Sequence, residues 1–159
     1  MLIVLRGNSG SGKSTIAARL QSELSGPAAI LSQDYFRRVI YKEREQDSLA
    51  HAHLLEAAAA HCLAVGQHVI LDGIFNADRY SPMLARVRSM TKDARFYAFD
   101  LSLDDTISRH QSRSKAVDFT AEDMAAWYHG WQPLSFVQER RIGTSETVSA
   151  IVTRVLEDR

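Results

Sequence analysis

One stretch constrains everything else in the chain: Gly7-Asn8-Ser9-Gly10-Ser11-Gly12-Lys13-Ser14, set between the apolar run Leu2–Leu5 and the helix-forming Thr15-Ile16-Ala17-Ala18-Arg19-Leu20. Gly7, Gly12, Lys13 and Ser14 fill every fixed position of the pattern G-x-x-x-x-G-K-[ST], which requires a strand before the loop and a helix after it. Glycines let the backbone curl until successive N–H groups point inward, and the helix adds the partial positive charge of its first turn. Gly7, Asn8, Ser9, Gly10, Ser11, Gly12, Lys13, Ser14 and Thr15 are therefore expected to cradle a polyphosphate, largely through main chain. Lys13 would reach the β- and γ-phosphates, and the Ser14 hydroxyl would hold Mg²⁺. The competing interpretation is a Gly/Ser-rich turn that merely joins a strand to a helix.

Bulk properties narrow the setting. With 159 residues the chain reads as one domain, residues 1–159, able to bury a core without staples. Its 19 basic and 19 acidic residues cancel, so no global field draws it to nucleic acid or membrane, and any polyanion site must be local. Cys62 stands alone in an alanine-rich helical pattern, which fits a reducing compartment and a small apolar role. No stretch approaches the ~18 apolar residues of a membrane span, and the opening run lacks a basic leader, so a cytoplasmic location and no membrane partner are expected. The six histidines show no zinc-ligand spacing, and no obligate protein partner is evident.

The pattern along the chain alternates. A helix over about residues 13–24 is broken at Ser25-Gly26-Pro27, and Ala28–Ser32 follows as a second strand. A long Ala/Leu-rich helix spans about Ser48 to Val65, and His68–Leu71 is a third strand ending at Asp72-Gly73. Asn76 caps a helix to about Met90, Arg95–Leu101 is a fourth strand, and Ser102 opens a helix carrying Arg109 and Arg113. Thr120-Ala121-Glu122-Asp123 opens another, bearing Trp127, Tyr128 and Trp131; Ser114–Phe119 between them is a loop. Arg140–Gly143 is a short fifth strand, with Thr144 or Ser145 capping a final helix that ends near Leu156. Such alternation implies an α/β fold of the P-loop NTPase type: a five-stranded parallel sheet sandwiched by helices.

In that architecture ligands bind beyond the carboxyl ends of the strands. The rule selects the loop at 7–14, Asp34 and Asp72. Phosphoryl transfer needs donor and acceptor held in line, charge neutralisation, and a carboxylate near the attacking hydroxyl. Asp34 is the candidate general base, or else an N-cap aspartate. Arg37, three residues on, shares its helical face and would grip an anionic group on the acceptor; Arg38 points elsewhere, toward solvent. Asp72 would order Mg²⁺-bound water, contact the acceptor, or cap the Gly73 turn. Arg109 and Arg113 lie four apart before a loop, as an arginine-bearing lid over about 109–122 would place them, or as a solvated basic face would. The tryptophans and Tyr128 would stack on a base or pack in the core.

With these residues placed, the chain resembles a phosphate-loop kinase, and more narrowly the 5′-kinase domain of phage polynucleotide kinase and its bacterial relatives. The resemblance covers the loop to about residue 134. Gln33-Asp34-Tyr35-Phe36-Arg37 is similar to that family's R-D-D-Y-R acceptor stretch, Asp72–Arg79 to its D-T-N-L-N-P-E-R segment, and Arg109, Arg113 and Lys115-Ala116-Val117 to its lid. It departs in Gln33 for the first arginine, a lid one residue shorter, and no phosphatase domain. The resemblance implies ATP and Mg²⁺, with Lys13, Asp34, Arg37 and Arg113 catalytic and Arg109 binding ATP. It also implies a hydroxyl acceptor, either a nucleic-acid 5′ end or a small molecule, since zeta-type toxins, antibiotic kinases and metabolite kinases share the scaffold.

Overall fold

The structure, a computed structural model, describes residues 1–44, 48–111 and 120–158. Its strands are β1 (Leu2–Gly7), β2 (Ala28–Ser32), β3 (His68–Gly73), β4 (Ala94–Phe99) and β5 (Arg140–Ile142). All pair in parallel, in the order β2-β3-β1-β4-β5. The helices are α1 (Lys13–Glu23), α2 (Gln33–Tyr35), α3 (Ala50–Ala64), α4 (Ala77–Ser89), α5 (Leu103–Gln111), α6 (Ala121–Trp127) and α7 (Val148–Glu157). The chain leaves α2 through a π-helical turn, Phe36–Ile40. The expected five-stranded parallel α/β fold is what forms.

β1 is central and reads as an unbroken apolar run because both of its faces are covered. Leu2 and Val4 point to one side, where Val69, Leu71 and Phe96 meet Leu55, Tyr80, Leu84 and Val87 of α3 and α4. Ile3 and Leu5 point to the other, against Ile16, Ala17 and Leu20 of α1 and Ile151, Val152 and Val155 of α7. Register then places the site. Leu5 pairs with Asp72, and Asp72 pairs with Ser32, so the loop after β1, Asp72 and the residues after β2 emerge side by side.

Several local expectations are corrected. The last helix is capped by Thr147, whose side chain accepts from the Ala150 N–H, and not by Thr144 or Ser145. Glu146 instead accepts from the Gly143 N–H at 3.0 Å, which carries the chain past the predicted start. Trp131 does not lie on the helix opened by Thr120: α6 stops at Trp127, Tyr128 turns extended, and Trp131 stacks half-exposed against the Arg141 guanidinium at 5.0 Å. The capping box at Thr120 forms as the spacing predicts, and Ser102 caps its helix by accepting from the Asp105 N–H at 3.1 Å while its hydroxyl donates to the Asp105 carboxylate.

The segment after α6 is anchored by a buried ion pair. Arg6 Nη1 meets Glu139 Oε2 at 2.8 Å, with side chains only 4% and 1% exposed. The same nitrogen donates to the Gln132 carbonyl, and the Leu134 N–H donates to Glu139. Removing one partner strands a charge in low dielectric, so Glu139→Gln is expected to cost about 3–5 kcal/mol. Urea unfolding midpoints check this; a loss under 1 kcal/mol would mean that water reaches Arg6.

Candidate active site

The loop between β1 and α1 is built on glycines with positive φ. Gly10 has φ +78° and Gly12, the N-cap of α1, φ +104°. No side chain caps α1, and a helix start of this kind suits an anion. Gly7 has a second constraint, since a Cβ there would stand 2.8 Å from Phe99 Cβ and 2.9 Å from the Phe99 carbonyl. Gly10, which the motif leaves unspecified, is needed for packing: a Cβ would meet the Thr106 carbonyl at 2.7 Å and Met124 Cε at 2.8 Å. The loop tip therefore nests under α5 and α6, a contact that no sequence spacing announces.

Lys13 is 7% exposed, and its Nζ donates to the Asn8 carbonyl at 2.8 Å and to Ser11 Oγ at 3.2 Å. The ammonium is thus held against the loop by one of its carbonyls and one of its hydroxyls. Asn8 is clamped in turn: its Nδ2 donates to the His129 carbonyl at 2.7 Å, and its Oδ1 accepts from the His129 N–H at 3.1 Å. His129 was not among the sequence candidates, because a backbone partner leaves no side-chain signature.

Ser14 Oγ donates to Asp72 Oδ2 at 2.7 Å. Asp72 lies inside β3 and is 4% exposed, so it does not cap the Gly73 turn. A hydroxyl and a carboxylate side by side form an all-oxygen donor set of the kind Mg²⁺ takes when most of its remaining ligands are water and phosphate. The residues present fit that ion.

Asp34 sits within the first turn of α2, whose N-cap is Ser32, so the N-cap alternative is removed. Its carboxylate is half-exposed and accepts from Arg37 Nη2 at 2.9 Å. Arg38 is corrected from its expected solvated orientation: its Nε lies 2.8 Å from Asp34 Oδ1. Residues three and four positions on flank the same helical face, so one carboxylate gathers both cations. Arg38 also lies near Asp123 of α6. That carboxyl is held below its usual range, chiefly by the Thr120 N–H and hydroxyl, with Arg38 contributing.

Arg109 lies on α5, while Arg113 and Lys115-Ala116-Val117 fall outside the described residues. A shallow cleft opens beside the loop, with Asn8, Asp100, Tyr128, His129 and Trp131 among its walls. Tyr128 is tied by its hydroxyl to the Leu101 carbonyl at 3.1 Å. Among the described residues, no helix is long and apolar enough to cross a membrane.

Comparisons with known proteins agree with the fold. A family model described as an AAA domain matches residues 2–131. No curated protein matches the chain. Among solved structures, it is similar to the Mycobacterium tuberculosis APS kinase CysC bound to AMPPNP and APS, at 17% identity and TM-score 0.74, covering 98% of this chain and 95% of that one. It is also similar to a gluconokinase from Sinorhizobium meliloti, at 17% identity and TM-score 0.63, over 97% and 88%. A chain of a Pnkp1/Rnl/Hen1 complex aligns at 24% identity and TM-score 0.58, over 68% of this chain and 38% of that one. At such identities the likeness is one of fold, that of the P-loop kinases.

Proposed function

The chain belongs to the AAA-domain family matched over residues 2–131, and from that membership and its two-sided crevice we propose that it is an ATP-dependent kinase. It transfers the γ-phosphoryl group of ATP to a hydroxyl. The observation that carries this reading is the Ser14–Asp72 hydrogen bond at the root of the phosphate loop, with the Asp34–Arg37 pair emerging from the neighbouring strand. A nucleotide-binding module needs the first feature and has no use for the second.

In the proposed reaction the loop amides and Lys13 hold the β- and γ-phosphates, Lys13 exchanging the Asn8 carbonyl for phosphate oxygens. Asp34 accepts the acceptor's proton as the new P–O bond forms and ADP departs. Arg37 grips the acceptor, and Arg109 and Arg113 cover the donor. Ser14 and Asp72, the latter through water, would hold Mg²⁺, which neutralises phosphate oxygens.

The acceptor is a 5′-hydroxyl nucleic-acid end or a small hydroxyl compound. Exposed Lys42 and Arg44 beyond Arg38 favour the first, and the balanced net charge favours the second. Incubating the protein with labelled MgATP and a panel of 5′-hydroxyl oligonucleotides, nucleosides, sugars and sugar acids is expected to yield a phosphorylated product. ATP binding without product from any acceptor would leave a binding module. An oligonucleotide acceptor predicts an affinity that falls steeply with salt, and a small one a nearly flat dependence.

A further inference from the structure

Away from the phosphate loop, five side chains form one hydrogen-bonded chain that runs through the core. Gln33 Nε2 donates to the Tyr80 hydroxyl oxygen at 2.8 Å, and His51 Nε2 lies 2.9 Å from the same oxygen. His51 Nδ1 then meets Glu43 Oε2 at 2.6 Å, and Ser48 Oγ donates to Glu43 Oε1 at 2.5 Å. Gln33 is 1% exposed, and His51 and Tyr80 are fully buried. Hydrogen bonds to His51 and Ser48 hold the Glu43 carboxyl below its usual range.

A buried polar chain is costly to build, and apolar residues of the same volume pack as well or better. Its value lies in where its ends fall. Gln33 directly precedes Asp34. Glu43 closes the same segment, its N–H donating to the Arg37 carbonyl at 2.9 Å. The stretch that carries Asp34 and Arg37 is thus tied at both ends to one line running through α4 and α3. Gln33 also wedges against the residue after Asp72, since a Cβ at Gly73 would stand 2.7 Å from Gln33 Cβ.

We propose that Gln33, Tyr80, His51 and Glu43 are positioning residues that hold the acceptor segment in register with the phosphate loop; its catalytic consequence rests on the kinase reading. The chain has a direction. The Glu43 carboxylate can only accept, so His51 carries a proton on Nδ1 toward it, and on the neutral ring Nε2 then accepts from the Tyr80 hydroxyl. None of the four touches the reacting groups, and their influence passes through the backbone of residues 33–43.

Tyr80→Phe tests this, because it removes only the hydroxyl and keeps the ring, which meets Phe75 edge-on at 5.5 Å. Amide exchange over residues 33–43 is expected to quicken at least about tenfold, since the hydroxyl's bonds to both Gln33 and His51 are lost, with exchange over 7–23 and affinity for a fluorescent ATP analogue unchanged. The His51 Nε2 nitrogen-15 resonance is expected to be pyridine-like in the wild type and to shift in the variant. For the acceptor found by the panel, KM should rise several-fold while KM for ATP stays put. Glu43→Gln, which keeps an acceptor for His51, is expected to preserve slow exchange, and Glu43→Leu to lose it. Unchanged exchange over 33–43, or a uniform rise across the protein, would overturn the proposal. If the wild type phosphorylates nothing, the kinase reading falls, while the exchange and resonance results still decide whether the chain orders the segment.

Discussion

Replacing Lys13 by methionine is expected to slow phosphoryl transfer about a thousandfold, some 4 kcal/mol of lost transition-state stabilisation, with the fold intact. Methionine keeps the length and apolar stem of a side chain that is already 93% buried by the neighbouring loop, so packing survives. What disappears is a trio of N–H donors, two of which are shown by their contacts with the Asn8 carbonyl and Ser11 Oγ. In the proposed reaction the ammonium stands where negative charge builds on the β- and γ-phosphates. Lys13→Arg should not restore activity, because a planar guanidinium does not reproduce the contacts of a compact ammonium held between the Asn8 carbonyl and Ser11 Oγ. Single-turnover transfer from labelled ATP checks the rate, and calorimetry with MgATP checks binding. A loss below tenfold would remove Lys13 from the phosphates.

The parts of this molecule that were legible in its sequence are those set by local rules. The apolar run of β1, the loop glycines and the caps at Asn76, Ser102 and Thr120 each act within a few residues, so spacing alone predicts them. Arg37 on the face of Asp34 belongs to the same class. What escaped notice depends on distant partners. Arg6 finds Glu139 across 133 positions, and Asn8 finds the His129 backbone across 121. His51 sits in the alanine-rich α3 and Tyr80 in the amphipathic α4, where a polar residue at a core position reads only as an irregularity. The π-helical turn after α2, closed by the Tyr41 N–H on the Phe36 carbonyl, obeys no residue-level code either. The candidate site therefore reads in halves: the donor half is a motif, whereas the acceptor half shows only its Asp34–Arg37 pair and owes its placement to tertiary packing.

Asp34→Asn separates these halves. It is expected to lower the chemical step by about 10²–10⁴-fold, the range for losing a positioned general base, with ATP affinity within about twofold of wild type. Loss of structure cannot imitate this result. The Asp34 carboxylate is 49% exposed, and ion pairs of that kind contribute at most about 1 kcal/mol. Asparagine also still offers an oxygen to Arg37 and Arg38, so the two guanidinium groups keep an anchor while the proton acceptor is gone. Arg37→Lys is expected to act differently, raising KM for the acceptor more than it lowers kcat, because a lysine loses bidentate grip but leaves the base in place. Rapid-quench turnover with saturating acceptor distinguishes the two variants. Equal loss of ATP binding and rate in Asp34→Asn would move this residue to the donor side. An unchanged kcat with a raised acceptor KM would make it a binding group, with the proton leaving to solvent.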